Sequence, residues 1–239
     1  MRKIIAVLSL AFICTQSSSA QTVKDIFNKV TKTTSQGSGL SNEEIISGLK
    51  DALRVGTDSS AKRLSKLNGF FGDAVIKVLM PEEAKKVERT LRNLGMGSVV
   101  DKAILSMNRA AEDAANGVGT IFWDAIKSMS ITDGVKILRG GDFAATDYLK
   151  SATTKQLTEK FRPVIEASLV KVDATRYWKD VFTTYNKFSA NQVNTDLTAY
   201  VTEKALAGLF LKISLEEQKI RKDPAAQVTS ILKKVFGGK

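Results

Sequence analysis

Residues 99–129 repeat their apolar side chains at helical spacing, and no other feature of the sequence limits the fold as strongly. Laid out at 100° per residue, Val100, Ile104, Met107, Ala111, Val118 and Phe122 share one arc roughly 160° wide. A strand needs alternation with a period of two, and such alternation is scarce here. The stretch reads as one long helix, kinked near Gly117 and Gly119.

The rest of the chain carries helical punctuation. In "SNEE", Ser41 and Glu44 have the spacing of a capping box, and Ile45, Leu49 and Ala52 follow on one face. Gly56 is expected to end this helix and Asp58 to cap the next. "LNGFFGDAVIKVLMP" breaks the rhythm, so residues 74–80 are expected to be extended. Pro81 suits the first turn of a new helix, with Glu82 and Glu83 at its positive end, and Gly95 closes it. Further helices are expected at residues 132–138, 143–152, 155–172, 175–188, 196–222 and 224–236, with Pro163 bending or splitting the one that contains it. In "RGGD", Gly140 or Gly141 is expected in the left-handed region and Asp142 at an N-cap. The fold class is all-α, an irregular multi-helix bundle with one short extended segment or hairpin near residues 70–80.

The N-terminus has the layout of a secretion signal. Arg2 and Lys3 precede an apolar run, residues 4–14, that is too short to span a bilayer. Ser18 and Ala20 fit the small-residue rule for cleavage after Ala20. The expected organisation is a signal peptide at 1–20, a short helix and a Ser/Thr/Gly-rich linker at 21–39, and a single all-α domain at 40–239, with the mature protein in the periplasm.

Cleavage there would remove Cys14, the one cysteine, and the chain has no histidine. Thiol and imidazole nucleophiles, Ser-His-Asp triads and the common zinc sites are thereby excluded, and no cofactor or metal is expected. Carboxylate chemistry remains open. The expected mature chain carries 34 Lys and Arg against 25 Asp and Glu, a charge of +9. Outside the cytoplasm such a charge points to an anionic envelope surface rather than nucleic acid.

"SMNRAAEDAA" concentrates the polar groups of the long helix. Arg109 and Asp113 lie opposite the apolar arc and read as an exposed i,i+4 pair. Asn108 and Glu112 sit at the edge of the arc, beside Leu105 and Trp123, where a carboxylate would be half-buried and would need a donor such as Arg221 or a Tyr hydroxyl. In residues 200–224, the run from Ala205 to Leu211 is apolar on every side, so that helix should cross the core, with Gly208 admitting a close neighbour. Beyond it Glu217 and Arg221 form an i,i+4 pair in the favourable order. Asn108, Glu112, Glu217 and Arg221 are the candidate ligand-binding residues, and no catalytic residue is assigned.

Several of these stretches together resemble the bacterial family catalogued as domain of unknown function 4197. The matching residues are "LSNEEIISGLKDAL", "NGF", "MNRAAE", "AIKSMSITDGVKIL", "AATDYL", "FRPVI", "DLTAYVTEKALAGLF" and "EEQKIRKDP". The resemblance covers nearly all of the expected mature chain. It implies an exported helical protein and brings no activity, substrate or catalytic residue. Many members of the family look like lipoproteins, whereas Ile13 stands before Cys14 here, where a lipoprotein signal has a small residue.

The functional expectation is a non-enzymatic binding module of the envelope, with a protein or an apolar ligand as partner and no transmembrane segment in the mature chain. The alternative is a carboxylate-dependent hydrolase acting on a cell-wall glycan through Glu112 or Glu217. A second carboxylate facing either one across an open cleft would favour the hydrolase.

Overall fold

A computed structural model describes residues 41–187, 192–223, 227 and 233, all but Ser41 belonging to one compact unit, Asn42–Lys239. The expected signal peptide, the short helix and linker after it, and most of the expected helix at 224–236 lie outside the described residues. Eight α-helices occur among the described residues: α1 (Asn42–Leu64), α2 (Lys85–Asn93), α3 (Gly97–Ala114), α4 (Gly119–Ser128), α5 (Ile131–Arg139), α6 (Ala144–Val170), α7 (Ala174–Asn186) and α8 (Leu197–Lys222). A single 3-10 turn, Glu82–Ala84, leads into α2, and no strand occurs among the described residues. The architecture is an irregular all-α bundle.

Helices α6 and α8 form its axis. Every fourth residue of α6 from Ala145 to Leu169 is buried: Ala145, Leu149, Thr153, Leu157, Phe161, Ile165 and Leu169. A row with a period of four drifts about 40° per step relative to a 3.6-residue helix, so it winds around the cylinder. It stays buried because the neighbours change along the way, with α3, α4, α5, α7 and α8 all packing on α6. The winding explains why the sequence suggests two shorter helices here: a test for one straight apolar face smears such a row. The helix is continuous through "SATTKQ" and through Pro163.

Helix α8 runs antiparallel to α6, and its Val201, Ala205 and Leu209 are fully enclosed. Two polar ties show the direction. Glu217, near the C-terminus of α8, bonds the N-terminus of α6, and Asp196, the N-cap of α8, takes Arg162 of α6 at 2.6 Å. Phe122 of α4 meets Phe210 of α8 edge-on, with centroids 6.2 Å apart. The core expectation for α8 holds on one side only, because Leu211 and Leu215 are exposed.

Other local expectations are corrected. Gly56 does not end a helix: α1 runs through it, held by buried Leu49, Ala52, Ala61 and Leu64, whose packing outweighs the weak helix propensity of one glycine. Residues 115–118 separate α3 from α4, with Gly117 at φ 71°, so the expected kink is a break. Gly140 has φ −70°, outside the left-handed region, and the N-cap of α6 is Phe143 rather than Asp142. Residues 74–80 are not extended throughout: 74–76 form a turn in which the Ile76 and Lys77 N–H groups donate to the Asp73 carbonyl, and 77–80 have no regular secondary structure and form no hairpin, the Val78 N–H going to the Asn108 side chain instead.

Candidate functional site

Asn108 and Glu112 lie one turn apart on α3 and are fully or nearly fully buried. Both grip the irregular segment 68–80. The side-chain amide of Asn108 accepts from the Val78 N–H at 2.9 Å and donates to the Val78 carbonyl at 2.8 Å, so it imitates a neighbouring strand. Its second N–H goes to the Ile104 carbonyl at 2.7 Å. One oxygen of Glu112 accepts the consecutive N–H groups of Phe70 and Phe71, each at 3.0 Å. The other accepts from Arg109 at 2.5 Å, and Arg109 also donates to Asn68 at 2.9 Å, where Asn68 sits in the left-handed region with φ 66°.

The expected donors to Glu112, Arg221 or a Tyr hydroxyl, are therefore replaced by Arg109 and two backbone groups about forty residues away in sequence. Arg109 is not part of an open surface pair. It turns toward the edge of the apolar arc, packs near the Phe71 ring, and leaves Asp113 to accept from Ser168. Segment 68–80 covers this flank of α3. On its far side it enters the space that Gly208 leaves free: a Cβ at Gly208 would stand 2.8 Å from Phe70 and 3.2 Å from Ile76.

Glu217 and Arg221 do equivalent work near the C-terminus of α8. Glu217 Oε1 accepts from the Ala145 N–H at 2.9 Å, and Oε2 accepts from the N–H and the hydroxyl of Thr146, each at 2.8 Å. These are the second and third residues of α6, whose N–H groups no intrahelical carbonyl satisfies. The N-cap Phe143 supplies no side-chain cap, so the carboxylate of another helix provides it, at the positive end of the α6 dipole. Arg221 donates to Glu217 at 2.9 Å and to the Ile137 carbonyl in the last turn of α5 at 2.8 Å. The pair thus clamps the α5–α6 corner onto α8. Asp142, freed from capping, takes Lys222 and Gln218, and the Lys222 ammonium holds its carboxyl below the ordinary range.

The four candidates do not meet in one site. Asn108 and Glu112 share segment 68–80, and Glu217 and Arg221 share the α5–α6 corner. A glycosidase needs two carboxylates facing each other across roughly 5–9.5 Å of substrate-accessible space. Glu112 and Glu217 instead have both oxygens engaged by protein donors. Among the described residues no group of three or more Asp or Glu is placed to hold a metal, and no helix is long and apolar enough to cross a membrane.

One concave feature escaped the sequence reading. A groove of about 760 Å³ lies between α6 and α8. From α6 it is lined by Thr146, Lys150, Thr154, Thr158 and Arg162, a second period-four row beside the buried one. From α8 it is lined by Ala199, Leu206, Ala207, Phe210 and Leu211, and Phe143 stands half-exposed at one end. Five hydroxyl side chains line it, and all five donate within the protein. Thr146 donates to Glu217, Thr154 to the Lys150 carbonyl, Thr158 to the Thr154 carbonyl, Thr202 to the Thr198 carbonyl and Ser214 to the Leu211 carbonyl, at 2.5–2.8 Å. A threonine bonded back to its own helix has its one donor in use and keeps only acceptor lone pairs. The i,i+4 threonines of "TDYLKSATTKQLT" were the available signal.

Across α8 a second hollow of about 670 Å³ is walled by segment 75–83 and Trp178. Tyr200 donates to the Leu79 carbonyl there at 2.8 Å, and burial, with Glu203, Glu83 and Glu82 nearby, pushes its hydroxyl up to about 12.

Fold and ties together define an irregular all-α bundle in which buried carboxylates and an amide fasten loops and helix ends. The chain belongs to the family described as Protein of unknown function (DUF4197), which matches residues 39–237. No curated protein and no solved structure matches it.

Proposed function

We propose that this chain is an exported protein of the bacterial envelope that works by binding rather than by catalysis, and that the groove between α6 and α8 receives an apolar occupant. The apolar α8 wall of Ala199, Leu206, Ala207, Phe210 and Leu211, with Phe143 at one end, carries the reading, and the five groove hydroxyls spend their one proton within the protein. A glycan would need hydrogen-bond partners along its whole path, and burying its hydroxyls against this apolar wall would cost free energy. An apolar occupant needs none. Export is supported by the basic start, the short apolar run and the Ser18–Ala20 pattern.

Two experiments test it. The dye anilinonaphthalene sulfonate should brighten with the folded chain 21–239 and lose that response in Ala207→Trp, which fills the groove from an exposed position on α8. Purified peptidoglycan should release no soluble fragments on incubation with the protein. Fragment release that disappears in Glu112→Gln or Glu217→Gln would replace the binding reading with the hydrolase. Fractionation should recover the protein from the periplasm with Gln21 first; retention of Met1 in the cytoplasm would refute export.

A further inference from the structure

We infer that Asn116 and Gly117, in the loop between α3 and α4, form a site of spontaneous modification, where the Asn116 side chain loses its amide nitrogen as ammonia and becomes aspartate or isoaspartate. The fold holds the other Asn-Gly pair of the chain, Asn68 and Gly69, unreactive.

The step is intramolecular. The backbone nitrogen of Gly117 gives up its proton and attacks Cγ of Asn116. A nitrogen–carbon bond forms, the side-chain carbon–nitrogen bond breaks, and ammonia leaves carrying the proton. Water then opens the cyclic imide at either carbonyl, giving aspartate or isoaspartate. Glycine in second place favours the attack, because no Cβ shields the nitrogen.

Asn68 and Asn116 are both exposed, so access of water does not separate the two pairs. The freedom of the following peptide group does. The Gly69 N–H donates to the Lys66 carbonyl at 2.8 Å, and the Asn68 side-chain oxygen accepts from Arg109 at 2.9 Å. The carbonyls of Arg63 and Leu64, at the end of α1, crowd Gly69 closely enough to exclude a Cβ. Neither reacting group of this pair can turn without breaking a hydrogen bond. At Gly117 each restraint is missing. Among the described residues its N–H has no acceptor, and the Asn116 side chain makes no hydrogen bond. A Cβ on Gly117 would meet only the tip of the Lys160 side chain, at 3.5 Å. The flanking Ala115 and Val118 are buried, so isoaspartate would insert one backbone carbon between two fixed points. Either product adds a negative charge.

The test is incubation of the purified chain at mildly alkaline pH, folded and in urea, followed by tryptic digestion and mass spectrometry. Residues 67–77 and 110–127 fall in separate tryptic peptides, each with a single asparagine. In the folded chain, 110–127 should gain one mass unit at least tenfold faster than 67–77. In urea the two rates should converge, since the reacting pair is the same. Isoelectric focusing of the folded chain should develop a more acidic band, and Asn116→Gln should remove it, because the longer side chain cyclises far more slowly. Peptide 110–127 staying unmodified in the folded chain, or both peptides changing there at one rate, overturns the inference. So does an acidic band that persists undiminished in Asn116→Gln. A difference between the peptides that survives in urea would come from local sequence rather than the fold, and would also overturn it.

Discussion

Glu217 of α8 and Thr146 of α6 are joined twice: one carboxylate oxygen accepts both the backbone N–H and the hydroxyl of Thr146, each at 2.8 Å. The contact spans 71 residues of sequence and makes one helix the cap of another. It also commits the proton of the first groove hydroxyl, so the device that closes the fold conditions the groove surface as well.

Glu217→Leu should therefore be severely destabilising. It strands the N–H groups of Ala145 and Thr146 and leaves Arg221 without its carboxylate in a place where that side chain is only 11% exposed. Breaking a buried pair from one side costs about 3–5 kcal/mol. Glu217→Gln keeps an acceptor and should cost less. Urea midpoints decide; a negligible shift for Glu217→Leu would mean the clamp is not structural.

At the other grip, Glu112→Leu and Arg109→Ala should each cost about 1–3 kcal/mol, because the first strands the N–H groups of Phe70 and Phe71 and the second leaves the buried Glu112 carboxylate without its cation. Lys102→Ala, an exposed position on the same helix, is the comparison and should stay within about 0.5 kcal/mol. The double variant Glu112→Leu with Arg109→Ala should cost less than the sum, since the two residues share one interaction.

Gly56→Ala should stabilise the protein by about 1 kcal/mol. Gly56 sits inside the 23-residue α1, and an added Cβ would meet only Ile220, at an ordinary 3.9 Å. It also borders a small, almost wholly apolar cavity of about 40 Å³ lined by Leu49, Leu53 and Ile213, so the methyl fills space as well as restraining the unfolded chain. Thermal unfolding of the variant is the measurement; a lower midpoint would show that the cavity wall cannot accept the methyl group.

Acid should weaken the attachment of segment 68–80 to α8. The Lys212 ammonium holds the Asp73 carboxyl below its ordinary 3.8, with further help from the Val75 N–H against partial burial. A carboxyl whose folded value is depressed adds stability that is complete above the unfolded value and is lost as pH falls through the folded one. Stability should thus decline below about pH 4. Asp73→Asn should lower the urea midpoint at pH 6 and converge with the parent near pH 2–3. Parallel curves for the two proteins would rule the linkage out.

Helix was legible in the sequence because it is set by local spacing: the arc from Val100 to Phe122 and the enclosed run in α8 are properties of neighbours three and four residues apart. Partial burial of Asn108 and Glu112 was legible for the same reason, from their place at the edge of that arc. Their partners were not. A backbone N–H has no sequence signature, and those of Phe70, Phe71, Val78, Ala145 and Thr146 became donors only when tertiary packing brought them to a side chain 30 to 72 residues away. The winding row of α6 belongs to the same class, since a face that changes neighbours along its length has no single periodicity to detect. So does the groove: its threonines are donors in the sequence, and only the folded helix, by turning each hydroxyl proton onto an internal acceptor, takes those donors out of use.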